Sequence, residues 1–290
     1  MTTPATPAVP PFTTLIDATT LAGLLKSPAL RLFDCRCSLL EPAAGARQYA
    51  EGHIPGAQFV DLNHDLSKPV VPGHTGRHPL PDKAAFVAQL QRWGVSNNSL
   101  VVAYDADSSP YAARLWWMLR WVGHKNVAVL DGGYKAWLGA NQPSTQTVPT
   151  FTSSNFSQGP ALTREVTAAD LQPATGLLLD ARELARFEGR AEPIDPIAGH
   201  IPGAVCAPFS ANLDASSCFK PAAELRARFK ALGADASTPI SCYCGSGVTA
   251  AQNLLAMVHA GLPEPALYAG SWSEWITDPK RPVATFLTEQ

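Results

Sequence analysis

Charged side chains are scarce in this chain: Asp, Glu, Lys and Arg make up 16% of its 290 residues, against about a quarter in an average globular protein. The formal net charge is only −2. No polybasic stretch is present, which argues against a nucleic-acid partner or an anionic membrane surface. Any anion the protein handles must therefore be caught in a local pocket. No apolar run reaches the length of a membrane span, about 20 residues. The opening Met1-Thr2-Thr3-Pro4-Ala5-Thr6-Pro7 has no basic segment followed by an apolar core. It reads as a short disordered lead rather than a secretory signal. Cysteine is thin as well. The six cysteines, at 35, 37, 206, 218, 242 and 244, form neither a disulfide framework nor a pair of CxxC knuckles. A reduced, cytoplasmic setting is expected, with no metal and no cofactor.

What is present is a repeat. Leu32-Phe33-Asp34-Cys35-Arg36 recurs as Leu178-Leu179-Asp180-Ala181-Arg182, and Gly52-His53-Ile54-Pro55-Gly56-Ala57 recurs unchanged as Gly199-His200-Ile201-Pro202-Gly203-Ala204. Val101 to Asp105 answers Ile240 to Cys244, Ala112-Ala113-Arg114 answers Ala250-Ala251-Gln252, and Leu130 to Trp137 answers Tyr268 to Trp275. Matched segments in the same order mean one domain duplicated. The expected division is a first domain over 11–140, a linker over 141–160 and a second domain over 161–285. The linker assignment rests on Pro143, Pro149 and Pro160 among Ser, Thr, Gln and Gly,. Each half alternates short apolar strands (100–104, 127–130, 177–179) with helical stretches. The clearest helix runs from Tyr111 to Val122, with Leu115, Met118, Leu119 and Val122 on one face and Gly123 at its end,. The fold class is therefore α/β, each half a mostly parallel sheet flanked by helices.

One stretch carries chemistry. Pro239 to Tyr243 reads as a short buried strand, and Cys244 follows it directly. Gly245 and Gly247 then allow a tight loop. Thr249 is placed to cap a helix carrying Ala251, Leu254, Leu255 and Val258 and closed by Gly261,. This layout of strand, thiol, glycine loop and helix aims backbone N–H groups and a helix N-terminus at one sulfur, surroundings that favour a thiolate. A buried structural cysteine is the alternative and, taken alone, the stretch does not decide between them. Its place beyond the carboxyl end of a parallel strand, where such sheets bind ligands, favours function.

The doubled GHIPGA, the Cys244–Thr249 loop and the closing Gly270-Ser271-Trp272-Ser273-Glu274-Trp275 resemble the rhodanese family, and within it the tandem-domain sulfurtransferases that use thiosulfate or 3-mercaptopyruvate. The likeness spans roughly residues 12 to 285. It implies transfer of a sulfane sulfur through a persulfide on Cys244, with Gly245, Gly247, Val248 and Thr249 cradling donor and sulfur. The uncharged Cys-Gly-Ser-Gly-Val-Thr loop is the kind that goes with 3-mercaptopyruvate. Arg186 matches the family arginine that holds the donor's carboxylate. Ile194 stands where a second arginine is expected, and nearby Arg190 is a candidate substitute, though it reads more readily as a surface arginine. Ser246 and His78 match a proton-handling pair whose third member, an Asp in the family, is here Asn63. The implied acceptors are cyanide, a low-molecular-weight thiol or a thioredoxin-like protein, and the donor is a small molecule.

In the first half Asp105 stands where Cys244 stands in the second, and a carboxylate carries no sulfane sulfur. That half is expected to be catalytically silent and to wall a cleft, with Asp105 read equally well as a turn or helix-cap carboxylate. His53 and His200 recur together and suit a structural turn. Cys242 shares Cys244's side of the strand and is read as core rather than as a redox partner. Cys35 and Cys37 alone are weak evidence for a metal, Cys206 and Cys218 are given no role, and the tryptophans are assigned to cores and the domain interface. Three rivals remain. A cysteine phosphatase or arsenate reductase needs a longer loop closed by Arg, and Ala250 stands at that place. A thiosulfate:cyanide sulfurtransferase differs only in donor. A non-catalytic sulfur-relay module would present Cys244 without turnover.

Overall fold

The computed structural model describes residues 13–171, 176–235 and 237–286. The expected disordered lead at Met1–Pro7 lies outside them. In the first half the order is β1 Leu15–Ile16, α1 Ala18–Leu24, β2 Leu30–Asp34, α2 Ala44–Glu51, β3 Ala57–Phe59, α3 Lys83–Arg92, β4 Leu100–Tyr104, α4 Pro110–Trp121, β5 Val127–Leu130 and α5 Gly133–Gly139. In the second it is β6 Arg164–Val166, β7 Leu177–Asp180, α6 Leu184–Phe187, β8 Val205–Cys206, α7 Ala222–Ala231, β9 Ile240–Tyr243, α8 Thr249–His259, β10 Ala266–Tyr268 and α9 Ser271–Trp275. The sheets have orders β1-β5-β4-β2-β3 and β6-β10-β9-β7-β8. Every strand pair in both is parallel. The two orders are one topology written twice, as the repeat requires.

The central strands β4 and β9 are apolar throughout except for Ser241, and each delivers its next residue, Asp105 or Cys244, at the carboxyl edge of its sheet. The repeated motifs hold those edges in place. Arg36 pairs with Asp34 and donates to the Gly52 carbonyl at 2.7 Å, and Arg182 does the same with Asp180 and Gly199 at 2.7 Å. The hydroxyls of Tyr104 and Tyr243 accept from the Ile54 and Ile201 amides. His53 and His200 are buried, stack on Tyr49 and Phe187, and bond the carbonyls of those same residues. The structural role expected of both histidines is what their contacts show.

The halves share one core. Residues from β4, α4 and β5 and from β9, α8 and β10 form a single buried cluster in which α4 packs on α8. Two smaller clusters fill the outer faces, one in each half. Burying α4 explains why Leu115, Trp116, Trp117, Met118 and Leu119 are all fully buried, where an amphipathic surface helix would show one wet face,. The Asn141–Pro160 stretch behaves less like a free linker than its composition implies. Phe156 is buried, Thr145 pairs with His53, and the Gly159 amide donates to the Val122 carbonyl, so this strap lies along the first half. No helix among the described residues is long and apolar enough to cross a membrane.

Candidate active site

Cys244 sits at the end of β9, 2% exposed. Its amide donates to the Ser271 hydroxyl at 3.1 Å, and its carbonyl accepts from the Trp272 amide at 2.9 Å. The Gly247 amide donates to Cys244 Sγ at 3.1 Å. Gly247 adopts φ +74°, and a Cβ there would collide with the Ala269 backbone. Only glycine turns this N–H onto the sulfur without displacing β10's continuation.

The first half shows what such a cradle holds. Asp105 accepts from the Ser109 amide at 2.9 Å through one oxygen, and from the Tyr111 and Ala112 amides at 3.0 and 3.3 Å through the other. The cap reading of Asp105 is thus the one its bonds support. It is buried, and burial raises it to about 6 against the pull of those amides. In the second half no side chain caps α8. Val248 holds the N-cap position and Thr249 is the first helical residue, so the cap expected of Thr249 is absent. The first-turn N–H groups of α8 thus have no capping oxygen, and the Gly247 amide just before the helix is the one that meets the sulfur,. Val248 is 4% exposed and its side chain packs in the shared core, which leaves only its backbone for the loop's interior.

Ser246 and His78 come from different halves and meet. His78 Nδ1 lies 2.7 Å from Ser246 Oγ, with both residues buried. Burial, with the charges of Arg114 and Arg77, lowers His78 to about 3. The imidazole is therefore neutral across the physiological range and accepts or passes a proton without holding one. A histidine depressed in this way contributes stability that is complete above its unfolded value, about 6.5. That contribution is lost as pH falls toward 3, because only the unfolded chain takes up the proton. A His78→Gln variant should accordingly unfold with about one proton less uptake between pH 6 and 4. Thermal midpoints measured against pH would show a shallower acid slope than wild type, and parallel slopes would contradict a neutral His78. Asn63, expected to orient this ring, is exposed and makes no side-chain hydrogen bond to His78 among the described residues.

Over Gly245 two guanidinium groups converge. A Cβ at Gly245 would lie 2.8 Å from Arg77 Nη2 and 3.5 Å from Arg186 Nη2, so a side chain here would push the end of Arg77 aside. Arg186 is held by Glu192 (2.7 Å) and Asp195 (3.1 Å), and Asp195 also pairs with Arg77 across the two halves. Arg77 was not legible as a site residue. Its signal is its place beside His78, in a loop that docks on the second half through the bond from the Arg77 amide to Ser273 Oγ. Arg190 does not take the second arm. It is 59% exposed, pairs with Glu188 and lies over Phe286. Beside the guanidinium of Arg77 a cavity of about 260 Å³ is lined by Ser38, Leu39, Pro42, Asn63, Arg77, His78 and Ile194.

The other cysteines are set apart. Cys242 is fully buried in the shared core, and burial pushes its thiol well up. Burial likewise raises Cys35, takes Cys37 to about 11 and Cys206 to about 12, and raises Cys218. All six are free. No group of three or more His, Cys, Asp or Glu among the described residues is arranged to hold a metal.

A cysteine in an anion cradle, set between two copies of one α/β unit and faced by paired arginines, defines an enzyme that moves sulfur, a sulfurtransferase. The rhodanese-like domain model matches residues 17–140 and 164–278; the chain belongs to the rhodanese family, with two such domains in tandem. It is 50% identical over 278 residues to a probable 3-mercaptopyruvate sulfurtransferase of Pseudomonas aeruginosa, covering 93% of this chain and 98% of that one. It is 39% identical to a putative thiosulfate sulfurtransferase of Mycobacterium tuberculosis, covering 93% and 96%. Among solved structures it superposes on 3-mercaptopyruvate sulfurtransferase from Leishmania major with a TM-score of 0.82 at 31% identity, covering 93% of this chain and 75% of that one.

Proposed function

We propose that the protein transfers sulfur from 3-mercaptopyruvate to a thiol or cyanide acceptor through a persulfide on Cys244, with Ser246 and His78 moving the proton. The observation that carries the donor assignment is the convergence of Arg77 and Arg186 over Gly245, next to the sulfur. Two guanidinium groups suit a planar carboxylate held by paired N–H bonds. The chemistry balances without a cofactor. The Cys244 thiolate attacks the donor sulfur, an S–S bond forms, and the donor's C–S bond breaks with its electron pair left on carbon. The donor's thiol proton moves to that carbon, giving pyruvate and a Cys244 persulfide anion. A neutral His78 bonded to Ser246 suits a shuttle from sulfur to carbon that keeps no net proton. The Gly247 amide, which meets Cys244 Sγ, is placed to steady the anion that results,. The first domain, with Asp105 engaged as a cap, contributes His78 and Arg77 but no second nucleophile. Small thiols, cyanide and thioredoxin-like proteins are the acceptor class, and six free cysteines favour a cytoplasmic setting.

Thiosulfate is the second reading, favoured by the relative that bears its name. Sulfite leaves it without any proton transfer, so Ser246 and His78 would be idle. Steady-state kinetics with both donors should give the higher kcat/KM for 3-mercaptopyruvate, and a clear thiosulfate preference would overturn this assignment.

A further inference from the structure

Arg114 on α4 of the first domain is fully buried, yet no carboxylate pairs with it among the described residues. The other deeply buried guanidiniums, Arg36 and Arg182, each grip an Asp. Arg114 instead donates to three carbonyls, those of Gly247 (3.0 Å), His78 (3.0 Å) and Leu66 (3.2 Å), and its Nε has no partner. Burying a cation without a counter-ion is costly, so the placement calls for an anion. The Gly247 that accepts from Arg114 is the residue whose amide donates to Cys244 Sγ. We infer that Arg114 is the buried counter-charge of the Cys244 sulfur anion, a positioning residue supplied by the silent domain to the catalytic loop of the other. This rests on Cys244 being the sulfur carrier.

The repeat supports the assignment. Gln252, which answers Arg114, reaches the opposite way, from α8 to the Ser108 carbonyl at 3.3 Å in the Asp105 loop. The two helices thus exchange arms. The charged arm enters the loop that holds sulfur, and the neutral arm enters the loop whose carboxylate is already satisfied by its own helix. Burial lowers Arg114 to about 10, and the charge of Cys244 is the first that opposes this. The other ionisable groups around the sulfur are Cys242 on β9, His78 behind Ser246, and Arg77 and Arg186 with Asp195 between them. Arg77 and Arg186 are partly exposed and already paired, and Glu165 on β6 acts on Arg114 only from a distance, with no ion pair between them, which leaves Arg114 as the buried charge with no carboxylate in contact among the described residues.

The test is the rate of iodoacetamide alkylation of Cys244 against pH in the full chain, read on the Cys244 peptide by mass spectrometry. In Arg114→Gln, which keeps donors for the carbonyls but removes the charge, alkylation at pH 7 should fall about tenfold, as expected when one nearby opposite charge is lost. The plateau rate at high pH should stay within about twofold of wild type. A merely structural Arg114 would lower the plateau and leave the midpoint in place, and that result overturns the inference. Should Arg114→Gln not fold, Arg114→Lys keeps the charge without the fork. Its pH profile should match wild type, and a tenfold loss at pH 7 in a folded Lys variant counts equally against the role. Donor treatment of the same variants separates this inference from the reading beneath it. A persulfide on another cysteine sinks the nucleophile assignment, whereas a persulfide on Cys244 with an unmoved profile sinks only Arg114.

Discussion

Replacing Cys244 with Ser should abolish sulfur transfer, lowering kcat by at least about 10⁴-fold, the scale seen when a covalent nucleophile is removed. A serine hydroxyl stays protonated in this cradle and does not accept a sulfane sulfur, so no alternative covalent route opens. The fold should be nearly untouched: the Cys244 amide still meets Ser271, its carbonyl still meets Trp272, and a serine oxygen can accept from the Gly247 amide in place of Sγ. In the wild type, donor without acceptor should add one sulfur, about 32 Da, to the peptide carrying Cys244, since a ping-pong enzyme stops at its covalent intermediate. Cys242→Ser is the control. Cys242 lies two residues away and fully buried, so its loss should cost some stability and leave the mass label on Cys244. Label on Cys242, or full activity in Cys244→Ser, would sink the assignment.

The duplication was readable because it is written twice in the same order, and the sheet orders repeat it strand for strand. The Cys244 loop was readable because strand, glycine and helix signals are local. Pairing of Ser246 with His78 was reached only through family resemblance, and the 2.7 Å contact places the two side chains together. What stayed hidden has one physical cause. Arg77, Arg114 and Asp195 matter through contacts between the halves, and a repeat compares each half with the other without saying which faces touch. Arg114 sat in a matched segment, and its burial against Gly247 is a property of α4 meeting α8. Arg190 is near Ile194 in sequence but reads more readily as a surface arginine, and the chain turns it outward to Glu188 and Phe286. Thr249 failed as a cap for a related reason. Local propensity favours an oxygen at that helix start, while the tight turn at Gly247 puts Val248 at the N-cap and Thr249 inside the helix,.

The paired arginines yield the second large effect. Arg77→Gln and Arg186→Gln should each lower kcat/KM for 3-mercaptopyruvate about 100-fold, the loss of roughly 3 kcal/mol expected when a charge-assisted, partly buried contact to a carboxylate disappears. Most of the loss should fall on KM, because the carboxylate is held alike before and during C–S cleavage. The two losses should not add. Asp195 bonds both guanidiniums and is almost fully buried, so removing Arg77 leaves Asp195 to draw on Arg186 alone, and the second substitution then acts on a clamp already weakened. Glu192 and Asp195 take Nε and Nη2 of Arg186 and keep it neutralised and aligned while no donor is bound, and Arg77 Nη2 and Arg186 Nη1, both near Gly245, are the atoms a donor carboxylate would meet. Mercaptoacetone, which has the same thiol and ketone but no carboxylate, isolates the contact. Its kcat/KM should be low with the wild-type enzyme and change less than about threefold in either variant, since the group the arginines grip is missing. Equal losses for both donors would mean that the arginines hold the domains together and do not bind the donor.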